Sequence, residues 1–395
     1  MTTEIPLHAP TFDAEDEQLV LDALRSTWVS TGGPYIQTFE KNFAEYVGAK
    51  HAVSVANGTV GLQLCLETLK RQRGISGVFE VIVPTLSFIA TANSVIHAGG
   101  QPVFVDCEKG TLNVDVEQIH QLIQARYHFD ETIKIWKSKL QDFPLLAVMP
   151  AHIMGWTCDM RKLKSLLHEL SVPVIEDAAE ALGSRDKDSA HVGMSGIASV
   201  FSFNGNKIIT TGGGGMVVTN DDEFADRVKH LSTTAKTDGL RYVHDESGYN
   251  HRMVNLLAAL GVSQLKKLDK YLTRKCEIAV RYTELLKDSD VKVHVENQNV
   301  CNNWIINLSF PSEERKERAL KLLLEHKIQC RPLWTPAHQL SFIRFDFRIK
   351  ERPEFPGFLN EDQPGVIFFT RRIDEVVRHT FAARGFDRND RIKLN

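Results

Sequence analysis

One lysine sits between an apolar run and a glycine tract: Ser202-Phe203-Asn204-Gly205-Asn206-Lys207, then Thr210-Thr211-Gly212-Gly213-Gly214-Gly215. A lysine just beyond a buried strand lies at the mouth of a sheet, where α/β proteins bind ligands. An ammonium in an apolar pocket loses solvation, so the free amine becomes available as nucleophile or base. Glycines allow tight turns or close approach of backbone to a ligand. The same letters also suit a solvated loop lysine ahead of a hairpin. They do not fit the G-x-x-x-x-G-K-[ST] phosphate loop, because here the lysine precedes the glycines.

A second chemical signal is Val174-Ile175-Glu176-Asp177-Ala178-Ala179-Glu180. Two carboxylates end an apolar run, and burying them is costly unless a cation or donor meets them. Asp177 could face a cationic ring nitrogen or a metal, or simply cap the next turn. In Ala56-Asn57-Gly58-Thr59 the N–H groups of a helix start and a hydroxyl suit a phosphate. Phe88, four residues beyond Pro84, could stack on a flat ring or serve the core. Taken together these are a phosphate cradle, an aromatic platform, a buried acid and a strand-edge amine. That is the equipment for pyridoxal 5'-phosphate.

The elements that must carry these residues alternate. Runs at 51–56, 80–85, 101–106, 145–152 and 173–178 are short, apolar on both faces and rich in Val and Ile. They read as buried strands of a mostly parallel sheet. Amphipathic stretches at 59–72, 88–97, 114–127 and 158–170 lie between them, the pattern of an α/β domain with helices on both faces. Strands at 199–203 and 215–219 follow. From 254 to 287 the spacing predicts one long helix linking a large domain (1–253) to a small α+β domain (288–395). In the small domain, strands at 291–296, 303–310 and 328–334 and a helix at 312–327 are expected. Residues 341–395 hold 9 of the 21 phenylalanines and show little periodicity.

Composition narrows the classes. The chain has 395 residues, 47 Lys+Arg against 50 Asp+Glu, and a net charge of -3. That balance argues against a nucleic-acid partner, which needs excess cation. No apolar stretch of about 18 residues predicts a membrane span, and the start has neither a basic nor an apolar leader pattern. The six cysteines are scattered, with no CxxC pair, so a reduced cytoplasmic setting without a zinc site is expected.

The chain resembles the DegT/StrS family of sugar aminotransferases. The resemblance rests on Trp28-Val29-Ser30-Thr31-Gly32-Gly33-Pro34, Asn57-Gly58-Thr59, the run from Pro84 to Asn93, Glu176–Glu180, Ser202–Lys207, Gly248–Met253 and Arg331-Pro332-Leu333-Trp334. Its finer pattern is similar to the branch that aminates 4-keto sugars toward bacillosamine or legionaminic acid. The resemblance implies an aspartate-aminotransferase-like fold (pyridoxal-phosphate fold type I) with a large, mostly parallel domain and a smaller α+β domain. By the same resemblance Lys207 bonds covalently to the cofactor and Asp177 pairs with its ring nitrogen. Glu180 lies near its ring hydroxyl, Phe88 stacks on it, and Gly58, Thr59 and Ser202 hold its phosphate. Asn250 reaches that phosphate from a neighbouring subunit, so a homodimer with shared sites is implied. Thr31 and Arg252 border the sugar.

The implied reaction moves an amino group from L-glutamate to C4 of a nucleotide-linked 4-keto-6-deoxysugar, for cell-surface polysaccharide. Other possibilities are a relative that dehydrates the sugar, which would carry His in place of Lys207, and a regulatory protein that binds the cofactor without turnover. A nicotinamide protein is disfavoured, since no G-x-G-x-x-G follows the first strand. Two departures from the family pattern stand out. Gly213 replaces a glutamate common after the lysine, and residues 339–395 read as foreign to the family's small-domain ending.

Overall fold

Apolar runs of three to five residues, bounded by turn residues, become the strands of the large domain in a computed structural model that describes residues 4–108, 110–294, 301–346 and 366–369. Gln101–Val105, Glu80–Pro84 and Leu145–Val148 pair in that order, all parallel. His51–Val55, Gly215–Thr219, Ala198–Ser202 and Ile175–Asp177 form a second run. The two runs join through parallel bridges from Val148 to Val174 and from Ala151 to Asp177. The Asp177 N–H donates to the Pro150 carbonyl at 2.9 Å. Among the described residues the result is one seven-stranded sheet, in which Gly215–Thr219 runs antiparallel to both of its neighbours. This is the mostly parallel α/β architecture expected from the spacing.

Period-two alternation decides which face each strand residue covers. In Ala198–Ser202, Val200 joins an apolar cluster with Val53, Leu64, Val81 and Phe224. Phe201 points the other way, into a cluster with Phe39, Phe43, Phe203 and Met216. There Phe43 meets Phe201 and Phe203 edge to face, at centroid distances of 5.2 and 5.4 Å. Burying each such ring contributes about 2–3 kcal/mol. Helices Ala14–Arg25, Pro34–Val47 and Asp222–Ser232 complete the covering layers, together with a hairpin of Tyr127–Asp130 and Ile135–Ser138.

Residues 254–287 do not form one unbroken helix. The structure has Asn255–Lys266 and Leu268–Leu286, separated at Lys267. The Lys267 N–H closes a tight bond to the Gln264 carbonyl at 3.1 Å, and its ammonium is drawn to Asp16 at 2.7 Å and to Asp13. This side-chain tether to the N-terminal helix marks the break.

The small domain orders Lys292–His294, Ile306–Ser309, Val366–Phe369 and Arg331–Pro332 into one antiparallel sheet, with helix Glu313–Glu325. Val366–Phe369 therefore pairs as an ordinary small-domain strand, which corrects the foreign reading of 339–395 for these four residues. Positions 295 and 296 of the expected strand lie outside the described residues, as does most of the chain after 346.

Candidate active site

The C-terminal ends of the parallel strands open into a cavity of about 1040 Å³. Gly58, Thr59, Phe88, Asp177, Glu180, Ser202 and Lys207 line it from the large domain, and Trp304, Arg331 and Trp334 line it near the small domain. Seven of the ten residues singled out in the sequence thus meet in one place.

Lys207 follows strand Ala198–Ser202 by five residues, in a loop that returns directly as the antiparallel strand Gly215–Thr219. The glycines make this return possible. Gly214 has φ +126, and a Cβ on Gly215 would stand 2.8 Å from the Gly58 nitrogen. Gly213 is in open space by contrast. A Cβ there would come no nearer than 3.9 Å to another atom, the Ala56 carbonyl oxygen, so the first carbon of a side chain would meet no obstacle. Lys207 is 9% exposed and its ammonium lies 3.3 Å from Glu180 Oε1. The other Glu180 oxygen accepts the Met154 N–H at 2.7 Å. Met154 holds a left-handed φ of 59 to present that N–H.

Asp177 ends the strand Ile175–Asp177. Its Oδ2 accepts the Thr91 hydroxyl at 2.7 Å and its Oδ1 accepts the Ala179 N–H at 3.1 Å. Burial pushes the Asp177 carboxyl above its usual range, and the Thr91 and Ala179 donors and the Lys207 charge only partly offset this. Burial likewise raises Glu180 against the opposing pull of Lys207 and Met154. Among the described residues no cation forms an ion pair with Asp177. A buried acid without a counter-cation is suited to a cationic ring nitrogen.

The remaining features have the right chemistry for the rest of the same cofactor. The Asn57 side chain caps helix Gly58–Gln72 by accepting the Val60 N–H at 3.0 Å. The first N–H groups of that helix are suited to an anion. A Cβ on Gly58 would come 3.1 Å from Ser202 Cβ, so this corner of the cradle tolerates little more than hydrogen. Phe88 lines the cavity edge to face with Trp334, at a centroid distance of 6.2 Å, and presents aromatic surface on which a flat ring could stack. The residues present therefore fit pyridoxal 5'-phosphate.

Three expected site residues lie elsewhere within this chain. Thr31 is exposed ahead of helix Pro34–Val47, in a loop held by Asn255, whose N–H donates to the Ser30 carbonyl at 2.8 Å. Asn250 is exposed and bridges Thr233. Arg252 is buried at 8% exposure, and its guanidinium pairs with Glu40 at 2.8 Å and donates to the Ser54 carbonyl at 2.9 Å. Its head group is thus committed to the interior rather than to a sugar. Arg252→Met should cost about 3 kcal/mol in a urea melt, because it removes the Glu40 carboxylate's partner cation and leaves only the Ser54 N–H and hydroxyl to meet it. Cofactor content should stay at the parent level.

Sequence reasoning missed the supporting layer. Thr91, which orients Asp177, lay inside a quoted motif without an assigned role. Glu176 is fully buried and accepts N–H groups from Ser195 at 2.7 Å and Gly196 at 2.6 Å, with His152 at 2.9 Å. Burial alone would raise its pKa. The His152 bond and the Gly196 and Ser195 N–H groups outweigh that and hold it below the ordinary value of 4.5. A lowered carboxylate stabilises the fold above its unfolded pKa and stops doing so as pH falls through the folded value. Glu176→Gln should therefore cost about 2–4 kcal/mol at pH 7. That deficit should shrink steadily below about pH 4.5 in paired urea titrations.

Fold and site together define an enzyme of the pyridoxal-phosphate-dependent class. The chain belongs to the DegT/DnrJ/EryC1/StrS aminotransferase family, whose profile matches residues 10–355. It is 37% identical to the GDP-perosamine synthase of Escherichia coli O157:H7 over 383 residues, which is 94% of this chain and 98% of that protein. It is 38% identical to the GDP-perosamine synthase of Vibrio cholerae over 89% of this chain and 90% of that one. Among solved structures it is similar to Helicobacter pylori PseC, an aminotransferase involved in the biosynthesis of pseudoaminic acid. That match has TM-score 0.83 and 25% identity, and covers 96% of this chain and 99% of the other. The chain is a sugar-nucleotide aminotransferase. Among the described residues no helix is long and apolar enough to cross a membrane.

Proposed function

We propose that this enzyme transfers the amino group of L-glutamate to C4 of a GDP-linked 4-keto-6-deoxyhexose. The choice of GDP is supported by relatives named GDP-perosamine synthase, 36–38% identical over 85–94% of the chain. Those relatives make a different product from the branch that the motifs resemble, so the bacillosamine or legionaminic-acid assignment is not carried further. The observation that carries the catalytic reading is the meeting of Lys207, Asp177 and Glu180 with the Asn57-Gly58-Thr59 turn in one cavity.

When bound, the cofactor supplies an electron sink that loosens the proton on the donor's α-carbon. The chain's own residues do the rest. Asp177, oriented by Thr91, holds a proton on the ring nitrogen. Lys207 takes the α-proton as base and returns it as acid. Glu180, 3.3 Å away, balances the lysine's charge while it carries that proton. The Gly58 and Thr59 N–H groups and the Ser202 hydroxyl grip the phosphate, and Phe88 covers one ring face. Asn250 of a second copy completes the phosphate site in a cytoplasmic homodimer, and Thr31 meets the sugar.

The test is a two-stage titration of purified holoenzyme followed by absorbance. L-Glutamate should shift the cofactor spectrum, and a GDP-linked 4-keto-6-deoxyhexose should restore it with formation of an amino sugar. Restoration by UDP-linked sugars alone would overturn the nucleotide assignment. Failure of every keto sugar would overturn the reaction.

A further inference from the structure

Besides Glu180, the Lys207 ammonium has the ring of Trp304 against it. The ammonium lies 4.4 Å from the centroid of the indole ring, and Trp304 is only 4% exposed. The ring is fixed at several points. Its Nε1–H donates to the carbonyl of Asn206, the residue before the lysine, at 2.6 Å. Its backbone N–H donates to Asn302 Oδ1 at 2.9 Å, and its carbonyl accepts Lys275 Nζ at 2.6 Å.

Asn302 ties this turn to the loop that carries Glu180. Its side-chain amide donates to the Glu180 carbonyl at 2.8 Å and to the Leu182 carbonyl at 3.0 Å. Asn303, between Asn302 and Trp304, takes a left-handed φ of 49, a conformation that asparagine tolerates better than most side chains. The segment leads directly into the small-domain strand Ile306–Ser309. One polar knot therefore sets both walls around the lysine, the Glu180 backbone and the indole.

The two walls act differently. Glu180 offers a carboxylate that holds a proton-bearing lysine by charge. An aromatic face attracts an ammonium through its quadrupole but accepts no proton and releases a neutral amine readily. It also excludes water that would compete for the same nitrogen.

We propose that Trp304 is a positioning residue for Lys207, carrying the amine on its ring face and screening it from solvent while the Asn302 knot holds the ring in place. This rests on the reading of Lys207 as the reactive amine. It adds to that reading a residue from the start of the small domain.

The experiment compares parent, Trp304→Phe, Trp304→Leu and Trp304→Met. In cofactor-free protein, acylation of Lys207 by acetic anhydride is timed by peptide mass spectrometry, with exposed Lys41 as internal reference. Loss of the ring in the Leu and Met variants should raise the relative rate at Lys207 by roughly 3- to 30-fold. Phe, which keeps a ring face, should stay within about threefold of the parent. In the loaded enzyme the Leu and Met variants should lose kcat with little change in donor KM, and Phe should restore most of it. Two non-aromatic variants guard against one failing to fold. Parent-like Lys207 labelling in a folded Leu or Met variant would overturn the proposal, as would a Phe variant as impaired as Leu. Borohydride trapping in the parent is read separately. Absence of an adduct at Lys207 there refutes the catalytic reading whatever the labelling shows.

Discussion

Lys207→Ala should lower turnover by at least about 10³-fold, the scale expected when the group that moves a proton is removed. The only other lysine-like base in reach would have to line the same cavity, and among the described residues its lining holds no second lysine. Arginine at 207 should not rescue, because a guanidinium stays charged and cannot act as the base. The fold should survive. Lys207 contributes one ion pair, to Glu180, whose other oxygen keeps the Met154 N–H as donor. The phosphate cradle of Gly58, Thr59 and Ser202 is untouched, so cofactor should still bind, more weakly. The check is product formation over several enzyme equivalents, together with borohydride reduction and peptide mapping. Multiple turnovers by the alanine variant would remove Lys207 from the mechanism.

Asp177→Asn is expected to have the next largest effect, roughly a 10²- to 10³-fold loss in the donor half-reaction. The aspartate meets a cation where charge changes during reaction, and an amide of the same shape supplies no negative charge. The geometry makes the comparison clean in one respect, since Thr91 can still donate to an amide oxygen. It is less clean in another, since the Ala179 N–H then faces an NH₂ group in place of its acceptor at 3.1 Å. Single-turnover absorbance with L-glutamate separates this loss from any weakening of cofactor affinity. A variant within threefold of the parent at saturating cofactor would mean that the buried acid has only a structural role.

Much of the fold was legible because hydrophobic period and turn chemistry act over short distances. Every strand of the large sheet was expected within a few residues of its place. Lys207, Asp177 and the Asn57-Gly58-Thr59 turn could be read because each follows an apolar run at a strand end. What escaped depends on partners far apart in sequence. Arg252 lies within the Gly248–Met253 motif and was expected, by resemblance, to border the sugar. Only the folded chain brings Glu40 and the Ser54 carbonyl to it. Trp304 gave no signal beyond being aromatic, since its contact with Lys207 needs the Asn302 turn to dock on the Glu180 loop. The break at Lys267 was hidden for the same reason. No proline or cap marks it, and it coincides with ion pairs to Asp13 and Asp16, 254 and 251 residues away in sequence.

The loop bearing Lys207 leaves one strand and re-enters the sheet as that strand's immediate antiparallel neighbour. Both of its stems are thus clamped by the same ladder of backbone bonds, Ser202 facing Gly215 across the register. A segment anchored so close at each end has little room to swing. The main chain beneath the reactive nitrogen is accordingly held against the sheet, and the travel that proton transfer needs comes from the lysine's own flexible stem.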